Sequence, residues 1–92
     1  MTYRIPERLA WVVRPPAPEG GQTAAYLLRL PDGDPLALTG SAALIWVLAA
    51  EGDPDVPAAL AELLGVPLAE VAQSTSEFLA GLVADGLLEV AS

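Results

Sequence analysis

The spacing of apolar and polar positions changes about a third of the way along this chain. Residues 9–14 (LAWVVR) and 23–30 (TAAYLLRL) are short apolar runs with aromatic and β-branched content, which predicts two strands. Between them, in residues 15–22 (PPAPEGGQ), Pro15, Pro16 and Pro18 cannot donate to a ladder and Gly20-Gly21 accepts positive φ, so the chain turns between antiparallel neighbours. Pro31-Asp32-Gly33-Asp34 carries an Asp-Gly turn signal ahead of residues 35–38, predicting a third strand and a three-stranded meander. Beyond this point the period becomes helical. Thr39 and Ser41 are candidate N-caps for a first helix, where Leu44, Ile45, Trp46, Val47 and Leu48 place apolar groups nearly all round. Such a helix belongs at the centre of the core, and it should stop near Glu51-Gly52. Asp53 with Pro54, or Asp55 itself, caps a second helix that passes through Leu60, Leu63 and Leu64 and ends at Gly65. Pro67 is tolerated as the first residue of a third and longest helix. Its Leu68, Val71, Ala72, Thr75, Phe78, Leu79, Leu82 and Val83 recur on one face until Asp85-Gly86 closes it. Residues 87–90 (LLEV) then return as a short strand or an extended tail over the core.

These elements define an α+β, winged-helix-like fold, with a three-stranded antiparallel N-terminal sheet followed by three helices. At 92 residues the chain fits one domain, residues 1–92, and 53% hydrophobic content is enough for a core without staples. Charge then limits what the fold can bind. The formal balance is −8, and all the basic residues, Arg4, Arg8, Arg14 and Arg29, lie in the first third. The third helix therefore holds no basic residue where a winged helix would read bases, and the acids beyond Arg29 repel phosphate. Nucleic acid is excluded as the expected partner. The start shows no signal-peptide pattern, the longest apolar stretch falls short of a membrane span, and there is no cysteine. A cytoplasmic protein without membrane association is the expectation.

Catalysis has little to build on, because the chain has no His, Cys or Lys. Ser41, Ser74, Thr75, Ser76 and Ser92 lack a partner base and read as caps, surface hydroxyls or a terminus. Asp32 with Asp34, and Asp53 with Asp55, do not form a twelve-residue calcium loop and serve turns and caps, so no metal and no cofactor is expected. No Asp-Ser pair marks a carrier-protein attachment site. Trp46, Tyr26 and Phe78 could line a pocket, but aromatics within an apolar pattern are usually core, and Trp46 is assigned there.

Residues 36–53 (LALTGSAALIWVLAAEGD), followed by VPAALAELLGV and EFLAGLVADGLL, resemble the PqqD-like family of precursor recognition elements for ribosomally synthesised peptides. The likeness spans nearly the whole chain and is closest to the stand-alone members of lasso peptide clusters. There a short third strand leads into L-x-G-[ST]-A-A-L-I-W, the string found from Leu38 to Trp46. The resemblance implies a protein without bond chemistry of its own. It would bind the precursor's leader peptide, typically carrying Tyr-x-x-Pro, as a fourth strand between the third strand and third helix. It would then present the precursor to a papain-like leader protease and an ATP-dependent macrolactam cyclase. Carried onto this chain, the leader would meet Asp34, Pro35, Leu36, Ala37 and Leu38 on the strand, and Ser74, Phe78, Gly81 and Asp85 with Leu82 at the base on the helix. Relatives often carry charged residues where this chain has Gln73-Ser74-Thr75-Ser76, which leaves the polar contacts open.

The residues themselves agree on mechanism, since a short exposed edge strand beside an apolar helix suits strand addition. A missing proline donor is tolerated where it would face an open edge, so Pro35 implies that Ala37 also directs its N–H outward and Leu38 inward. Three other readings stand beside this one. The edge could be covered by the chain's own Val90-Ala91-Ser92 tail; the protein could be a PqqD-like carrier for a radical-enzyme or other peptide pathway; or it could be a non-catalytic winged-helix protein-interaction module.

Overall fold

The computed structural model describes every residue except Met1, Ala17 and Ser92. In chain order its elements are β1 (Tyr3–Arg4), β2 (Leu9–Arg14), β3 (Ala24–Arg29), β4 (Leu36–Thr39), α1 (Ser41–Ala50), α2 (Val56–Leu64), α3 (Leu68–Ala84) and β5 (Glu89–Val90). The fold is α+β. The antiparallel meander β2-β3-β4 precedes three helices, as the change of period predicts, while β5, within the return expected at residues 87–90, pairs in a separate two-stranded sheet with β1, which the sequence did not signal.

Alternation divides the meander into two faces. Trp11, Leu27 and Leu36 lie opposite one another across the strands, as do Val13, Ala25 and Leu38; on this face Leu9, Ala25, Leu27 and Leu38 are buried, whereas Trp11 and Leu36 on the outer strands stay exposed. The other face carries Val12, Tyr26 and Ala37 in one row with Leu28 beside it, and all four are exposed. Tyr26 is therefore neither core nor pocket. Against the inner face lies α1, with Ala43, Ile45, Trp46 and Ala49 buried. Trp46 is fully buried, and Trp11 meets it edge-on, with ring centroids 6.0 Å apart and planes at 73°.

Local chemistry accounts for the helix ends, with some departures from expectation. Neither Thr39 nor Ser41 caps α1. The N-cap is Gly40, at φ 62° and ψ −134°, a conformation that side-chain-bearing residues rarely adopt, and no side chain caps the helix. Position therefore outweighs capping chemistry at the entry to α1. Asp55, rather than Asp53, caps α2 by accepting from the Ala58 N–H at 3.2 Å, while Asp53 accepts from the Asp55 N–H at 2.8 Å. Pro67 stands one residue earlier than expected, as the extended N-cap of α3. Leu63, Leu64 and Leu68 point to solvent, because the turn between α2 and α3 lies at the rim of the core.

The hairpin between β3 and β4 is not a two-residue Asp-Gly turn. Leu30-Pro31 is cis, and the Gly33 N–H folds back to the Arg29 carbonyl at 2.8 Å. Gly33 is needed for this close approach rather than for positive φ: a Cβ there would lie 2.5 Å from Arg29 Cβ and 2.7 Å from its carbonyl oxygen. Gly33→Ala should accordingly destabilise the protein by about 1 to 3 kcal/mol, while Asp32→Ala beside it should stay within about 0.5 kcal/mol, as read from urea midpoints.

Candidate functional site

β4 is an edge strand of the meander. One side of this strand pairs with β3, and no described strand lies on the other. The Gly40 N–H donates to the Thr23 carbonyl at 3.0 Å, continuing the register in which Ala24 faces Thr39. Hydrogen-bonded pairs alternate in an antiparallel ladder, so Leu38 with Ala25 and Leu36 with Leu27 exchange the internal bonds. Ala37 and Thr39 therefore direct their N–H and C=O groups outward. Pro35, just ahead of the strand, falls on the same outward parity.

Beside this edge, α3 and β4 enclose a groove of about 290 Å³. Leu36 and Leu38 form one wall, while Phe78, Gly81 and Leu82 form the other. Glu77 and Asp85 stand at the two ends of the helical wall, and Leu87 closes the floor. The direction of α3 follows from its neighbours. Phe78 also shares a hollow with Ser41 and Ala42, which follow β4, whereas the Asp85 carbonyl accepts from Arg29 Nη1 at 3.0 Å, beside the hairpin that precedes β4. The helix thus runs along the strand in the opposite sense. Arg29 also places a cation at the C-terminus of α3, where the helix dipole favours one.

Of the residues singled out in the sequence, Leu36, Leu38, Phe78, Gly81, Leu82 and Asp85 meet in this groove. Ala37 contributes its outward backbone rather than its side chain, and Asp34 and Pro35 are exposed on the approach to β4. Ser74 lies elsewhere. It lines the adjoining hollow of about 220 Å³ between α1, α2 and α3, and its hydroxyl donates to the Val71 carbonyl at 3.3 Å. Thr75 beside it is buried rather than solvated. Two groove residues were not singled out. Glu77 lies one turn before Gly81 on the same flank, so helical periodicity could have found it. Leu87 was legible from the helix stop: its N–H returns to the Leu82 carbonyl at 2.9 Å and that of Gly86 to Val83 at 3.1 Å, a Schellman motif that brings Leu87 against Leu82.

The tail does not cover this edge. Tyr3 faces Val90, Arg4 faces Glu89, and the Ala91 N–H donates to the Thr2 carbonyl at 2.9 Å, so the chain end pairs with β1 as far as it is described; Ser92 lies outside the described residues. A more spacious concavity, about 540 Å³, sits at this other sheet among Arg4, Glu7, Arg8 and Glu89. It includes no residue of β4, and Arg4 there is already paired with Glu89 at 2.8 Å. Among the described residues no cluster of three metal-ligating side chains forms, and no helix is long and apolar enough to cross a membrane. Comparisons with protein-family models, curated proteins and solved structures found no match to this chain.

Gly81 sits in the interior of α3, where glycine costs about 0.5 to 1 kcal/mol relative to alanine. Nothing lies within 4 Å of where its Cβ would be. The fold itself thus has no packing reason to exclude a methyl group there. Gly81→Ala should raise stability by about 0.5 to 1 kcal/mol, measured as a higher thermal or urea midpoint.

Proposed function

We propose that this protein is a non-catalytic peptide-binding module that takes an extended segment as a further strand on β4, over the groove beside α3. The observation that carries this reading is the unpaired β4 edge next to an apolar groove lined by Leu36, Leu38, Phe78 and Leu82. Backbone groups at Ala37 and Thr39 supply sequence-independent hydrogen bonds, and the groove supplies side-chain selectivity. The likeness to the PqqD-like recognition elements names the segment: the leader of a ribosomally made precursor, of the lasso class with a Tyr-x-x-Pro motif. The module holds the precursor for a separate leader protease and macrolactam cyclase, and it works in the cytoplasm. Neither nucleic acid nor membrane is a partner in this reading. The absence of basic residues from α3 disfavours a DNA-reading helix, since phosphate contacts dominate such affinity.

Calorimetry with a synthetic Tyr-x-x-Pro leader should show binding without protease, cyclase, nucleotide or metal. The heat-capacity change should be negative, because apolar surface is buried. No heat and no competition at high micromolar peptide would refute the proposal. Truncating the half-buried wall residue, Phe78→Ala, should weaken the complex by about 1 to 3 kcal/mol if the ring is an anchor. The backbone parity allows a sharper comparison. Ala37→Pro removes an outward N–H and should weaken leader binding by roughly 1 to 3 kcal/mol while the protein stays folded. Leu38→Pro removes a donor from the internal ladder and should lower the thermal midpoint itself. Wild-type affinity in Ala37→Pro would exclude strand addition at β4.

A further inference from the structure

On the flank of α3 facing β4, Glu77, Gly81 and Asp85 recur at intervals of four residues. At 1.5 Å per residue they stand about 6 Å apart along the helix. Side chains on one face of an extended peptide recur every second residue, about 6.6 Å apart. The two repeats match, and α3 runs along the strand. Three successive same-face side chains of an added strand would therefore sit opposite an acid, a gap and an acid. The gap is open, because nothing occupies the space where a Gly81 Cβ would be, and Phe78 and Leu82 provide apolar walls beside it.

The charged side chains that line the groove, Glu77 and Asp85, are both acids, and the Arg29 guanidinium stands outside the lining, against the C-terminus of α3. Glu77 makes one described side-chain contact, accepting from Gln73 Nε2 at 3.2 Å, a neutral donor. Asp85 engages Arg29 through its backbone carbonyl. The ion pair found among the described residues, Arg4 with Glu89, belongs to the other sheet. Arg29, the cation nearest Asp85, is held on the backbone carbonyl and forms no ion pair with the carboxylate, no basic residue follows it in the chain, and Asp34 stands at the approach to β4. An apolar groove whose lining carries two acids and no base favours a cationic occupant.

Resting on the peptide-binding reading above, we propose that the groove selects an extended segment of the pattern basic-x-bulky apolar-x-basic. The apolar side chain enters the notch at Gly81, and Lys or Arg side chains pair with Glu77 and Asp85. Gly81 is then a specificity-determining residue for size, and the two acids determine charge.

The test uses the full chain and four fluorescein-labelled twelve-residue peptides that differ at a central five-residue core: Arg-Thr-Leu-Thr-Arg, Gln-Thr-Leu-Thr-Gln, Glu-Thr-Leu-Thr-Glu and Arg-Thr-Ala-Thr-Arg. Polarisation titrations at low salt should rank the first tightest and the glutamate peptide weakest. The arginine peptide should exceed the glutamine peptide by about threefold to tenfold, as two partly exposed ion pairs allow. That margin should shrink at high salt. Glu77→Gln with Asp85→Asn should abolish the charge preference, whereas Glu51→Gln with Glu62→Gln, outside the groove, should keep it. Gly81→Ala should erase the preference for leucine over alanine while leaving the protein folded. Equal binding of the arginine, glutamine and glutamate peptides, all weakened by Ala37→Pro, would overturn this proposal and leave strand addition standing. No binding of any of these peptides up to millimolar concentration would overturn this proposal alone, since they lack the Tyr-x-x-Pro motif, whereas binding indifferent to Ala37→Pro would overturn both.

Discussion

Trp46 is fully buried on the helix that packs against β1, β3, β4 and both other helices, and the rest of the fold is arranged around that packing. Burying an indole of this size contributes about 4 to 6 kcal/mol by area. Its Nε1 finds no acceptor among the described residues, a cost of about 1 to 3 kcal/mol. Burial wins, and the ring stays at the centre with Trp11 edge-on beside it. Small residues make the close approach possible. Ala25 on β3 and Ala43 and Ala49 on α1 are fully buried, so the helix backbone settles close to the inner face. Because α1 occupies this face, α3 packs chiefly against α2, and its flank toward β4 is left uncovered. The groove results from which helix claims the sheet.

A second constraint is the competition for the tail. After the Schellman turn, Leu87 and Leu88 are buried and direct the chain toward β1. The Arg4–Glu89 pair there is exposed at both ends and contributes at most about 1 kcal/mol; the two buried leucines outweigh it. Committing residues 89–90 to β1 withdraws the segment that could have paired with β4. The edge is instead guarded by its own brevity, by Pro35 and by Asp34, devices that discourage indiscriminate strand pairing. A guard made of negative charge is selective. It repels acidic chains, including copies of this protein, and admits a cationic strand.

The sequence by itself determined the meander, the three helices and their stops, because alternation, helical periodicity and glycine-proline punctuation are local signals. Residues 9–14 and Leu9–Arg14 coincide, and Asp55 and Gly65 bound α2 where their chemistry allows. It also determined the outward parity of Ala37, since proline's missing donor is a property of one residue propagated by a period of two. The tertiary structure decided what depends on distant partners. β1 is two residues long and carries no periodic signal; it exists because β5 arrives beside it. Gly40 displaced Thr39 and Ser41 as the cap because the end of the β3–β4 ladder, bonded to Thr23, sets the backbone angle at which α1 begins. Ser74 and Glu77 exchanged roles for a related reason. Periodicity places both on an accessible part of α3, but the rotation of that helix about its axis is set by Thr75, Leu79 and Leu82 packing into the core. That rotation turned Glu77, Gly81 and Asp85 toward β4 and Ser74 toward α1 and α2, a choice made by side-chain volumes on other elements.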